Sequence, residues 1–228
     1  MAMTADGKID TAERRGARIS GPADSARVDR LRAGADAVMV GGRTLMNEDP
    51  RLTVRDPDLV ATRTAAGRAA QPMKVGVVSR LTDGDVDHLL EAGAFLREGA
   101  AAVTLCTSTR SDRQVIDRLR GEGVEVVVSG DVRVALADAL LALTHRGVER
   151  LMVEGGSTLV AALLAAGLVD ELQLAMAPLI FGGESAPTPV GGPGWTSADA
   201  LTLRLVETTT SLDGDVIVRY LVEPEARP

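Results

Sequence analysis

Cysteine, histidine, lysine and aromatic residues are all scarce in this chain of 228 residues. One cysteine and two histidines are too few for a disulfide framework or a Cys/His zinc site. Cys106 ends the strand-like run Ala101 to Cys106, where it reads as a small buried hydrophobe. No apolar run is long enough to span a bilayer. Asp6, Lys8 and Asp10 interrupt the N-terminus where a secretory signal needs an apolar stretch. The chain therefore reads as cytoplasmic, with no membrane partner. A net charge of −7 argues against nucleic acid as its main partner. The basic residues are almost all arginine, Lys8 and Lys74 being the lysines. An arginine in such a chain is usually a solvated surface charge, and bears on function only where several converge on one anion.

Common catalytic signatures are missing too. There is no G-x-x-x-x-G-K-[ST] phosphate loop and no G-x-S-x-G nucleophile elbow. His88 lies in a polar stretch and His145 near a helix end, and neither completes a nucleophile–base–orienter set. A chain rich in glycine turns and arginine but poor in acid–base residues suits hydride transfer, where a cofactor supplies the reactive atom and the protein orients it.

What is present is an alternation of strands and helices. The runs 35–40, 74–78, 102–105, 124–128, 151–153 and 172–177 read as strands. Between them, 22–33, 111–120, 133–145 and 158–166 read as helices, the first with Ser20 as N-cap and Pro22 in its first turn. Such alternation predicts a largely parallel, doubly wound α/β sheet. The C-terminus differs: 201–208 and 215–222 read as two strands joined through Asp213-Gly214, an antiparallel hairpin at the sheet edge. The stretches 56–72 and 187–197 read as loops, and the first strand, before the turn at Asp6, is short. No linker or repeat appears, so residues 1–228 read as a single domain.

Two blocks stand out. In Leu151-Met152-Val153-Glu154-Gly155-Gly156-Ser157-Thr158-Leu159 an apolar strand ends in an acid and paired glycines, then opens a helix. Paired glycines let backbone approach a ligand, and unpaired helix N–H groups suit a phosphate or pyrophosphate. Strand–Gly-Gly–helix also arises from tight packing alone. In Val38 to Arg55 a buried strand again ends in glycines, Gly41-Gly42, with Thr44 at a helix start and a turn at Glu48-Asp49-Pro50. Arg32, Arg51 and Arg55 flank that turn, a set that would grip a phosphate monoester. Ser79-Arg80 and Thr107 to Arg110 also follow strand ends and suit an adenosine 2′-phosphate, although any one of them is more often simply a helix cap.

Thr4 to Ile9, Arg18-Ile19-Ser20, Leu31-Arg32, Thr44 to Arg55 and Val153 to Gly156 with Thr158-Leu159 resemble, in order, the pyrimidine reductases of riboflavin biosynthesis. Leu168 to Leu172 and Ala177 to Gly183 continue the likeness, whereas the H-x-E and P-C-x-x-C motifs of the fused zinc deaminase are missing. The resemblance implies a stand-alone reductase with a dihydrofolate reductase-like three-layer sandwich. It implies reduction by NADPH of the ribosyl group of an aminopyrimidine ribosyl 5′-phosphate, at C1′ of the ring-opened imine, to the ribityl product. By position, Ala2, Thr44, Glu48, Ser79, Gly156, Ser157, Thr158 and Leu159, with Arg80 and Gly155 beside them, contact NADPH. Arg32, Leu52, Arg55 and Glu154 contact substrate, the arginines on its phosphate. Asp6 holds the first turn near the reacting centre, and Glu154 either holds ribose hydroxyls or mediates proton delivery; these two are the catalytic candidates. A homodimer is expected, with Leu172 to Ala177 and the Gly/Pro loop at its interface. Gly16 stands where the family often carries a substrate-facing hydroxyl, and Arg18 where it often carries an aromatic ring. These departures leave open a related reductase of a pterin, dihydrofolate or other imine; the short first strand leaves open a nucleotide-binding protein without turnover.

Overall fold

Residues 1–223 are described by a computed structural model. In order, its elements are β1 (Ala2–Thr4), α1 (Pro22–Gly34), β2 (Ala37–Gly41), α2 (Gly42–Glu48), α3 (Pro57–Ala65), β3 (Met73–Val77), α4 (Asp83–Ala92), α5 (Ala94–Arg97), β4 (Val103–Thr107), α6 (Arg113–Gly121), β5 (Glu125–Val128), α7 (Leu136–Thr144), β6 (Leu151–Gly155), α8 (Ser157–Ala165), β7 (Glu171–Ala177), β8 (Leu203–Thr210) and β9 (Val216–Val222). They fall into two units: Val28–Gly156, and Met1–Arg27 with the chain from Ser157 onward.

The Val28–Gly156 unit carries five parallel strands in the order β5-β4-β3-β2-β6. Short apolar, β-branched runs form them because strands covered on both faces need no polar alternation. The core gathers Val38, Val40, Leu45, Leu52, Leu89, Phe95, Leu105, Ile116 and Leu119. Gly76 is tight: a β-carbon there would stand 2.6 Å from Leu105 and 2.8 Å from Leu45. The chain steps outward from β2 to β5, then returns to place β6 on the other side of β2. The order thus reverses between β2 and β6, and at such a switch point the carboxyl ends of the strands leave a crevice.

The other unit carries a four-stranded sheet, β1-β7-β9-β8, parallel only at β1–β7. The hairpin read from Asp213-Gly214 joins β8 to β9, with Gly214 at φ +90°. Parallel and antiparallel strands are both present as expected, but in separate sheets.

Two local expectations are corrected, and one further helix was not read. The stretch 56–72 contains α3, which Asp56 caps by accepting from the Asp58 N–H at 2.9 Å, with Pro57 in the first turn. Ser20 does not cap α1: its hydroxyl donates to Asp24 at 2.5 Å, and the Ala23 N–H donates instead to Asp213 at 2.6 Å. The polar stretch around His88 is helical because Thr82 and Asp85 form a reciprocal capping box.

Candidate functional site

The switch point is built from β2, β6 and the segment after α2. Along β6, Met39 pairs with Val153 and Val40 pairs with Gly155, so Glu154 is the extra residue of a β-bulge. A bulge re-aims a side chain. Glu154 meets Arg32, whose Nε and Nη2 donate to its two oxygens at 2.6 and 2.7 Å. The third arm of Arg32, Nη1, donates to the Thr53 carbonyl at 2.9 Å. Burial works against the Arg32 charge, but the bonds and charge of Glu154, with the charge of Asp29, outweigh it and raise its pKa. The pair is mostly buried, with Arg32 15% and Glu154 18% exposed.

Asp29 lies three residues before Arg32 on α1, hence on the same helix face. Its carboxylate accepts from the N–H groups of Arg55 and Asp56 at 2.9 and 2.8 Å. Gln71 accepts from the Val54 N–H at 2.7 Å and donates to the Val54 carbonyl at 3.0 Å. The extended segment 53–56 is therefore fixed by side chains standing in for strand partners. Asp29 and Gln71 are supports of the candidate site that the sequence did not announce. The only signal for Asp29 was its i,i+3 spacing from Arg32; Gln71 had none.

Beyond Glu154 the backbone opens. Gly155 has φ +137°, which favours glycine, and the Gly155–Gly156 peptide is cis. A β-carbon on Gly156 would stand 3.0 Å from the Thr44 hydroxyl, so these two cofactor candidates are brought together. Gly42 is also crowded, its would-be β-carbon lying 3.3 Å from the Val77 carbonyl. Glu48 is exposed at the end of α2. Leu52 has φ +51° and its side chain is buried in the core, so only its backbone can face a ligand.

The three arginines differ in their nearest carboxylates, while Asp29 acts on both Arg32 and Arg55. Arg32 is taken by Glu154, Arg51 pairs with Glu98 at 2.7 Å, and the Arg55 Nε lies 3.4 Å from Asp29. In this acidic chain each guanidinium near the turn has found its own carboxylate. Arg55 keeps an exposed side chain, at 58%.

The turns after β3, β4 and β5 are stitched together. The Ser108 N–H and hydroxyl both donate to the Ser79 carbonyl, the Thr109 N–H donates to the Gly130 carbonyl at 3.0 Å, and the Ser79 hydroxyl accepts from the Val134 N–H at 3.3 Å. Thr107 and Ser108 are buried in this framework, whereas Arg80, Thr109 and Arg110 are exposed. Cys106 is fully buried and its thiol is pushed up to about 12 by that burial, in keeping with a packing role.

In the other unit, Asp6 accepts from the Thr4 hydroxyl at 2.5 Å and from the Phe181 and Gly182 N–H groups at 3.3 and 2.7 Å. The Thr4 hydroxyl, then those N–H groups, outweigh the effect of burial and lower its pKa. A carboxylate so bonded anchors the 181–182 turn. Ala2 pairs with Ala175 in the sheet. Ser157 packs against Gly191, Thr158 is exposed, and the Leu159 side chain is buried.

Residues 1–218 match the model of the RibD C-terminal domain. The fold and the family together define an α/β reductase. The chain belongs to that family, the pyrimidine reductases of riboflavin biosynthesis. It is 40% identical over 223 residues to the 2,5-diamino-6-ribosylamino-4(3H)-pyrimidinone 5′-phosphate reductase of Methanothermobacter thermautotrophicus, covering 97% of this chain and 95% of the relative. The reductase of the same name from Archaeoglobus fulgidus is 37% identical over 192 residues, 84% of each chain. A pyrimidine reductase-like protein from Corynebacterium diphtheriae superposes with a TM-score of 0.78 at 25% identity, over 98% of this chain and 90% of the other.

Proposed function

We propose that this chain reduces 2,5-diamino-6-ribosylamino-4(3H)-pyrimidinone 5′-phosphate, or its deaminated counterpart, to the ribityl product with NADPH. The observation that carries this reading is the switch point itself. There a side-chain-free turn at Gly155-Gly156 lies beside the Thr44 hydroxyl, and an arginine-held carboxylate projects from a bulge.

The residues present fit a dinucleotide. A β-carbon on Gly156 would crowd the Thr44 hydroxyl, the kind of clearance a close backbone approach requires. Thr44, Glu48, Gly155 and Gly156 would hold its phosphates and ribose. Ser79 holds its turn through Val134, and the exposed Arg80 and Arg110 on adjacent turns suit a 2′-phosphate. When bound, the reduced nicotinamide supplies a hydride. Reduction of the ring-opened imine adds that hydride to C1′ and a proton to the nitrogen. Arg55, whose side chain neighbours Asp29 and is 58% exposed, would hold the substrate phosphate. Glu154 has lone pairs left to accept from ribose hydroxyls. Dimerisation belongs to the same reading: Leu203, Leu205 and Val206 are exposed on β8, which favours that strand over β7 as the surface a second copy covers.

The test is oxidation of NADPH by the purified protein, with the ribosyl phosphate and dihydrofolate offered in parallel and NADH as control. Fast turnover of the ribosyl phosphate supports the reading; turnover of neither substrate overturns it. Turnover of dihydrofolate alone favours a pterin reductase, which Gly16 and Arg18 motivate. Replacing Arg80 and Arg110 together by alanine should narrow the preference for NADPH over NADH.

A further inference from the structure

We infer that Asp49 is a positioning residue for the substrate side of the site, acting through residues 94–99; this rests on the proposed reductase reading. Asp49 ends α2 at φ +40°, and Leu52 follows at φ +51°. Side chains enter the left-handed region at a cost. Two such residues within four persist where their surroundings hold them. The segment 49–55 is neither helix nor strand, so the holding contacts come from elsewhere.

Residues 49, 51 and 53 all meet 94–99. Each Asp49 oxygen accepts one N–H, from Ala94 and from Phe95, both at 2.8 Å. These N–H groups open α5 and have no partner inside it, so Asp49 caps a helix 45 residues further on. Arg51 pairs with Glu98 at 2.7 Å. Thr53 is buried against Gly99, where a β-carbon would stand 2.4 Å from the Thr53 methyl group. The receiving turn is itself fixed, because the buried Lys74 ammonium of β3 donates to the carbonyls of Ala94, Phe95 and Glu98. The Arg51–Glu98 pair is exposed and contributes least. Asp49 is therefore the main polar tie between the turn and the segment. What hangs on that segment is the substrate side: the Thr53 carbonyl accepts from Arg32 at 2.9 Å, and Arg55 follows two residues on. The cofactor side is held separately. Leu45 is fully buried, and the Asp49 N–H bond to its carbonyl at 3.1 Å is backbone, which a substitution retains.

Steady-state kinetics of Asp49→Asn and Gly99→Ala separate positioning from plain stability. Asparagine keeps the shape and tolerates left-handed φ, but it loses the charge and turns an NH₂ donor toward one of the two N–H groups. The KM for the ribosyl phosphate should rise on the order of tenfold, with the KM for NADPH within about twofold of wild type. Gly99→Ala displaces Thr53 from the other side and should give the same split. A residue that only stabilises the fold lowers the amount of active enzyme, hence kcat, and leaves both KM values in place. That outcome, or an equal rise in both KM values, would overturn the inference. Thermal melts report whether each variant is folded; if Asp49→Asn fails to fold, Gly99→Ala decides. The wild type is measured first: if it does not turn over the ribosyl phosphate, the reductase reading falls and takes this inference with it. Wild-type turnover without the split in KM removes the inference alone.

Discussion

Thr44 and Gly156 meet across the β2–β6 switch point, where a β-carbon on Gly156 would stand 3.0 Å from the Thr44 hydroxyl. The hydroxyl sits at the end of a short side chain on α2, so it has little room to retreat. Gly156→Val is therefore expected to stay folded, to displace Thr44 and to weaken NADPH binding by at least tenfold. Fluorescence titration with NADPH checks this, and an unchanged dissociation constant would remove the cofactor reading of the turn.

In the proposed reading Arg55, which also neighbours Asp29, grips the substrate phosphate. Arg55→Ala should cost roughly 1.5–3 kcal/mol, or about ten- to 150-fold, in substrate affinity. NADPH affinity should not move, because Asp29 holds the segment through backbone N–H groups that alanine retains. Equal losses for both ligands would contradict the assignment.

Gly16 has φ +78°, and its N–H donates to Asp10 at 2.9 Å. The family's frequent hydroxyl residue would be strained in that conformation. Gly16→Ser should lower the unfolding free energy by about 1–2 kcal/mol, read from urea denaturation.

Asp10 ties the same loop by accepting also from the Thr11 and Ala17 N–H groups at 2.7 and 2.9 Å. Partial burial pushes its carboxyl up, but the Ala17, Gly16 and Thr11 bonds, helped by Arg14, outweigh it and leave the pKa below the usual 3.8. A lowered folded value means that the contribution is full above pH 3.8 and is lost as pH falls through the folded value. Asp10→Asn should thus remove part of the acid-induced loss of stability. Melting temperatures of wild type and variant at pH 6 and pH 3 should converge at the lower pH.

Lys74 gives the opposite signature. Its ammonium is fully buried and donates to the carbonyls of Ala94, Phe95 and Glu98, closing the end of α5. Asp49 closes the other end by accepting from the Ala94 and Phe95 N–H groups, each at 2.8 Å. Burial lowers Lys74 to about 8 despite the favourable charges of Glu98 and Asp49. An unfolded lysine keeps its proton to about pH 10.4. Between those values the unfolded chain binds more protons, so stability rises with pH by on the order of 3 kcal/mol. Lys74→Met should abolish that rise, as measured by urea unfolding at pH 7.5 and pH 10.

The parallel strands were legible because buried β-branched runs bounded by glycine have few other uses. The Asp213-Gly214 hairpin was legible for the same local reason. Helix α3 was hidden because its alanines and threonines form no apolar stripe, although Asp56-Pro57 held its start signal. The site was legible in its members more than in its bonds. Arg32 and Glu154 stand 122 residues apart, and the bulge that turns Glu154 toward Arg32 exists only in register with β2. Arg32, Arg51 and Arg55 suggested one anion because they flank one turn; which carboxylate each takes is decided by elements far along the chain.

Cys106 sits in β4 between β3 and β5, wholly covered, with its thiol held up near 12. It is the sole sulfhydryl of the chain. A thiol-directed reagent can reach it only when β4 parts from its neighbours, since neither access nor thiolate is available while the strands are paired. Its alkylation rate therefore serves as a clock for sheet opening. Slowing of that clock by added NADPH would give the strength with which ligand occupancy holds the parallel sheet shut.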